Sequence, residues 1–152
     1  LLPALKMILP EIVDISMPAE GIFHNLLIVS IKKSYVGHAK KVMNAIWGLG
    51  LLMLTKTIVV VDSNVDVGDY SQVGWRVLSN IDPEKDILIS EGPLDDLDHA
   101  SNTPKYGSKI GIDATSKGKL DGRSRPWPPD ITMSKFIKEL VDSKWSKYNI
   151  NN

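Results

Sequence analysis

The sequence predicts an α/β domain: a three-layer α/β/α sandwich with a largely parallel or mixed sheet of about five strands. Two kinds of segment point there. Thr57–Asp62 (TIVVVD) and the run within Asn25–Ile31 (NLLIVSI) are continuously apolar and β-branched, as strands covered on both faces are. Between them the apolar residues Ala39, Val42, Met43, Ile46, Trp47 and Gly50 recur at helical spacing, one buried stripe of a crossover helix. Shorter β-rich runs at Glu11–Met17, Ile87–Ser90 and Lys109–Asp113 complete the strand set. A second helix begins after Asp69, whose carboxylate can cap it with Gln72 three residues on. It should bury Tyr70, Val73 and Val77 and stop near Asn80, ahead of Asp82-Pro83.

The third helical pattern is the longest. Met133, Phe136, Ile137, Leu140, Val141, Trp145 and Tyr148 keep one face, with Asp130 as the expected cap, over a helix at 131–149. Before it runs Arg125-Pro-Trp127-Pro-Pro, a stiff extended arm, within a basic Pro- and Gly-rich segment at 115–130. Such a stripe either packs back on its own sheet or is exchanged with a neighbouring subunit. A single domain spanning 1–152 fits the length.

Composition narrows the function classes. The 18 basic and 18 acidic residues cancel, which argues against a nucleic-acid binder. With no cysteine there is no thiolate metal site and no catalytic thiol. The longest apolar run, Ala45–Leu54, has ten residues, against the ~20 that span a bilayer, so no integral membrane segment is expected. The opening Leu1-Leu2-Pro3 has neither Met nor a cationic leader, which reads as a fragment or processed piece of a cytoplasmic protein. Charge is balanced in total but not in place. Residues 82–98 carry seven acids against one lysine, and residues 104–126 six bases against two acids. Either the two patches pair as local ion pairs on a solvated surface or they face a partner and an anionic ligand.

Several constellations lose on inspection. Asp62-Ser-Asn64-Val-Asp66-Val-Gly68 has Val67 where a calcium loop needs glycine and Val73 where it needs a bidentate glutamate, so it reads as a strand-to-helix turn. Gly48-Leu-Gly50 follows a helix rather than a strand and reads as its C-terminal cap. His38 reads as a surface or capping residue. Asp95, Asp96, Asp98 and His99 lie within five positions and could bind a cation or exchange protons. Lys56, at the entry of the most apolar strand, is either a point charge for an anion such as phosphate or a gatekeeper that ends the apolar run.

Six ordered motifs go beyond these generic features: EIVDISMPAEGIFHNLLIVSIKK, YVGHAKKVMNAIW, LTKTIVVVDSNVDVGDYSQVGWRVLSNIDP, EGPLDDLDHAS, YGSKIGIDAT and RPWPP. Together they resemble the C-terminal domain of the UbiD family of decarboxylases, from about Leu9 to the final helix. The resemblance implies a carboxy-lyase that acts reversibly and without net oxidation on aromatic or α,β-unsaturated acids, such as a polyprenyl-hydroxybenzoate of quinone biosynthesis, with membrane association in such a pathway. It implies prenylated flavin mononucleotide (prenylated FMN) as cofactor, with a divalent metal (Mn or Mg) and potassium at its phosphate. The family's glutamate–arginine–glutamate network and metal ligands belong to the N-terminal flavin-binding portion, and nothing here matches them. The resemblance therefore implies no catalytic residue and no metal ligand in this chain, which is expected to be inactive alone. It makes Lys56 the equivalent of a lysine reaching the flavin phosphate. Pro93, Leu94, Asp95, Leu97 and His99 match substrate-pocket walls. Its partners would be the N-terminal flavin-binding portion and a second copy bound through the C-terminal helix. The stretch Ser116–Gly122 departs from the family pattern and leaves substrate identity open. Two other readings remain: an independent α/β module that holds a phosphorylated ligand through the basic stretch, and a purely structural oligomerisation domain.

Overall fold

The computed structural model describes residues 1–22 and 24–148. Five strands form one mixed sheet in the order β1-β2-β3-β5-β4: β1 Ile12–Ser16, β2 Leu26–Ile31, β3 Thr57–Asp62, β4 Ile87–Pro93 and β5 Tyr106–Asp113. The inner strands β2, β3 and β5 are parallel, and the edges β1 and β4 run against them. The helices are α1 Leu2–Ile8, α2 His38–Trp47, α3 Tyr70–Asn80, the single turn α4 Pro83–Asp86, and α5 Lys135–Lys144.

The alternation of the central strands explains the two-sided core. Leu27, Val29, Ile31, Ile58 and Val60 point to one face, where Ala39, Val42, Met43 and Ile46 of α2 cover them together with Leu5 and Leu9. Ile28, Val59 and Val61 point to the other and meet Val65, Val67 and Val73. A β2 or β3 residue thus finds apolar partners whichever way it faces, so neither strand alternates in sequence. Close packing at Gly111 is part of this design: a Cβ there would stand 2.5 Å from the Met43 sulfur.

The details correct several expectations. His38 is buried rather than on the surface: its Nδ1 accepts from the Ser34 amide at 3.1 Å and its Nε2 stands 3.2 Å from Glu11. Tyr70 lies outside the core, its hydroxyl 3.3 Å from Ser16 Oγ, while Arg76 of the same helix is buried. Asp69 caps α3 through the Gln72 amide, 3.0 Å. Asp130 does not cap α5. Ser134 does, accepting from the Ile137 amide at 3.3 Å, because Asp130 is held elsewhere by Arg76. Position 149, the expected last residue of that helix, lies outside the described residues. No residue of α5 is buried, and Phe136 is 70 % exposed, so the stripe does not pack back on this sheet.

Candidate functional site

Lys56 directly precedes β3 and His24 lies just before β2, so both sit at the amino ends of parallel strands. The loop at 94–105, which joins β4 to β5, folds across them. Leu94 roots it: its side chain is buried, and its amide donates to the Lys105 carbonyl at 2.9 Å. Two aspartates then use their two oxygens in the same way. Asp95 accepts from the Leu97 amide at 2.9 Å with one oxygen and reaches His24 Nδ1 at 2.7 Å with the other. Asp98 accepts from the Ala100 amide at 2.9 Å and reaches Lys56 Nζ at 2.7 Å. Each carboxylate both shapes its own turn and clasps the loop to the sheet. The turn that delivers His24 holds Ile22 at φ 43°, a left-handed conformation that costs a β-branched residue about 1–2 kcal/mol.

This geometry divides the expected cluster. Asp95 turns to His24, Asp98 to Lys56 and Asp96 to Lys105 at 2.9 Å. His99 is exposed and makes no ion pair among the described residues. Among those residues no group of three His, Asp or Glu side chains could hold a metal ion, so the cation-binding alternative for 95–99 has no ligand set there. Pro93 ends β4 in register with Tyr106, and Leu97 points outward. The signal that would have revealed these pairs is absent from local sequence, because His24 and Asp95 are 71 positions apart.

The charge pattern sets a pH dependence. Lys56 holds the Asp98 carboxyl below its ordinary range, and the Leu97 amide followed by His24 does the same for Asp95. A lowered carboxylate stabilises the fold above its unfolded pKa of about 3.9 and loses that contribution as pH falls through its folded value. Hydrogen-exchange protection of the Leu97 and Ala100 amides should therefore hold from neutral pH down to about 5 and collapse only below about 4. Loss already near pH 6 would show that the carboxylates do not hold the loop.

Beside Lys56 opens a cavity of about 410 Å³ lined by Glu91, Leu94, Ser101, Thr103 and Tyr106. Beside His24 lies an apolar hollow of about 610 Å³, lined by Leu5, Met17, Leu49, Leu51 and Leu52. The opposite, carboxyl ends of the strands, where open α/β sheets commonly hold ligands, are roofed by the chain itself. Asp62 accepts from the Ser116 amide and hydroxyl at 2.7 and 2.6 Å. Lys33 pairs with Asp121 at 2.8 Å, and Lys117 donates to the carbonyls of Asp113 and Thr115 at 2.7 and 2.8 Å. Arg76 makes a two-pronged bond to Asp130, 2.7 Å on each side. The basic segment at 115–130 is thus fastened down rather than open: Lys117 lies 3.5 Å from Asp86, so basic and acidic patches pair in part with each other.

Residues 1–114 match the family described as the 3-octaprenyl-4-hydroxybenzoate carboxy-lyase C-terminal domain, UbiD_C. The chain belongs to that family. Its UbiD C-terminal fold is similar to that of vanillic acid decarboxylase from Sedimentibacter hydroxybenzoicus in closed form, with TM-score 0.81 and 29 % identity over 96 % of this chain and 30 % of that one. It is also similar to the UbiD-class enzyme HmfF from Pelotomaculum thermopropionicum in complex with FMN, with TM-score 0.76 and 25 % identity over 93 % of this chain and 31 % of that one. Among curated relatives, an uncharacterized protein of Archaeoglobus fulgidus is 52 % identical over 96 % of this chain and 31 % of its own length. One of Aquifex aeolicus is 50 % identical over 98 % and 31 %. The UbiD C-terminal chain therefore spans about a third of the length of these relatives. No helix among the described residues is long and apolar enough to cross a membrane.

At this site Lys56 is a residue that could hold an anion such as a flavin phosphate. The Lys56 side chain is 31 % exposed at the cavity mouth, so its ammonium can reach an anion that shares it with Asp98. The metal expected with such a phosphate finds no ligand set among the described residues.

Proposed function

We propose that this chain is the C-terminal part of a decarboxylase that removes carboxylate, reversibly and without net oxidation, from aromatic or α,β-unsaturated acids such as a polyprenyl-hydroxybenzoate. The observation that carries this reading is that 96 % of the chain shares its fold with a vanillic acid decarboxylase. Prenylated FMN, when bound, supplies the electron sink for loss of carbon dioxide, and its phosphate, divalent metal and potassium are held chiefly by an N-terminal flavin-binding portion. This chain's residues close the site. Lys56 offers one charged contact to the phosphate, and Leu94 with the clasped loop forms a wall against the substrate. Of the expected walls Leu94 lines the cavity beside Lys56; Pro93, Asp95, Leu97 and His99, at the end of β4 and in the loop that follows, would complete the wall once the flavin-binding portion is in place. Ile22, Leu51, Met53 and Leu97 are exposed apolar side chains, Leu51 beside His24, and apolar surface of this kind suits a covering domain. Helix α5 docks on a second copy of the chain. The working compartment is the cytoplasm.

The test is to assay the chain alone and joined to its flavin-binding portion. The chain alone should not turn over any acid when prenylated FMN is added, and the joined protein should. In the joined protein Lys56→Ala should weaken FMN about ten- to hundredfold, the effect of losing one charged contact worth about 1–3 kcal/mol. Turnover by the chain alone, or unchanged FMN affinity in the variant, would overturn the respective half of the reading.

A further inference from the structure

A second lysine stands one residue from Lys56 across the sheet, and the proposed function does not use it. Lys109 lies on β5 beside Ile110, whose amide donates to the Lys56 carbonyl at 2.9 Å. Its side chain is only 3 % exposed along with the rest of the residue, and among the described residues it forms no ion pair. Burial lowers its pKa, with no carboxylate to offset the effect. Its stem passes 3.3 Å from where a Cβ on Gly92 would stand, and its ammonium lies 5.9 Å from the Trp47 ring centroid.

Burying an ammonium without a counter-charge is unfavourable, and an apolar side chain of the same length would fill this space at less cost. Stability alone therefore does not account for a lysine here. What the ammonium does is local. It donates to the carbonyl of Met53. Two residues on, the Trp47 indole donates to the carbonyl of Thr55 at 3.0 Å, and next comes the Lys56 carbonyl already held by Ile110. Within four residues, three carbonyls are gripped by a β5 side chain, an α2 side chain and the β5 backbone. They are the segment from which Lys56 projects.

We propose that Lys109 is a positioning residue for anion binding: by fixing the Met53 carbonyl it holds the Lys56 ammonium where a flavin phosphate arrives. This rests on the reading of Lys56 as the phosphate contact. A side chain preset in place does not have to be ordered on binding, and the saved ordering raises affinity.

The experiment uses the chain joined to its flavin-binding portion and titrates FMN and riboflavin, which differ by the phosphate. Lys56→Ala serves as the reference: it should weaken FMN and leave riboflavin unchanged. Lys109→Met should keep or raise the midpoint of thermal unfolding, weaken FMN about tenfold, and leave riboflavin unchanged. Lys109→Gln retains an N–H donor for Met53 and should recover most of the FMN affinity. FMN affinity within twofold of the parent in Lys109→Met overturns the proposal. So does equal loss of FMN and riboflavin, failure of Lys109→Gln to recover affinity, or a Lys109→Met protein that melts early or does not fold, since Lys109 would then be a structural group. If Lys56→Ala itself does not separate FMN from riboflavin, the reading of Lys56 fails instead, a distinct outcome.

Discussion

Asp130→Ala should lower the midpoint of thermal unfolding by about 4–12 °C, more than any other exchange on the arm. Arg76 is only 7 % exposed, and both its terminal nitrogens meet Asp130 at 2.7 Å, with Asn64 adding a bond at 3.3 Å. Removing the carboxylate leaves a guanidinium buried against α3 without its counter-charge. Loss of one partner of a buried pair costs about 3–5 kcal/mol; the Asp130 side, 39 % exposed, admits water, so about 2–3 kcal/mol is expected. At about 2–4 °C per kcal/mol for a domain of this size, that gives the stated fall. The reciprocal Arg76→Met should be milder, because a stranded Asp130 can hydrate while methionine fills the space. Thermal melts of the two variants followed by circular dichroism decide it. Equal, negligible shifts would make the contact a surface ion pair and free the arm. Acid should act in the same direction: Arg76 holds the Asp130 carboxyl below its ordinary range, so this contribution is present above about pH 4 and is lost below it.

Ending the chain after Met133 should leave the melt of the domain within about 2 °C of the parent and reduce the particle mass of the joined enzyme in light scattering. The cut keeps Asp130 and removes α5, no residue of which is buried, together with the residues that follow it. A ten-residue helix is marginal in water by itself, and this one presents Phe136 and Ile137 to solvent, with Trp145 exposed directly after it. Each such side chain is worth about 1.5–3 kcal/mol when buried, which favours a host on a neighbouring copy. The arm is stiffened by Pro126, Pro128 and Pro129, with Arg123 stacked 4.7 Å over the Trp127 ring. A truncated form with the mass of the parent, or one that has lost its melting transition, would sink the idea.

The sheet was readable because its two central strands are apolar on both faces, a pattern few other structures tolerate. The β4–β5 pair is legible at its Ile87 and Asp113 end but not toward the connecting loop, since Glu91-Gly-Pro93 and Tyr106-Gly-Ser108 look like turns and extend as strands only because they pair with each other. Helix α1 went unread because a single buried side chain, Leu5, carries its contact. At the site, Lys56 stood out through its place before an apolar strand. His24 and Lys109 did not, nor did the pairing of Asp98 with Lys56. Their meaning depends on where a loop lands across the sheet, and no local spacing encodes that. The acidic run at 95–99 shows the same limit: adjacent carboxylates could form one cluster, while the loop's turns aim them at three different partners, His24, Lys105 and Lys56.

The antiparallel strands at both edges have a practical consequence for handling the chain. An exposed strand edge is a template for stray pairing with other molecules, and proteins blunt such edges with bulges, charges and proline. Here β1 carries a register shift between Ile12 and Asp14, and β4 carries Glu91 and ends in Pro93. The three parallel strands with the strongest tendency to stack are sealed between these blunted borders. Clumping of the separated domain, when it occurs, should therefore start from the greasy side chains near Leu51 and Leu97 or from α5, and be relieved by polar replacements there rather than by changes along the strands.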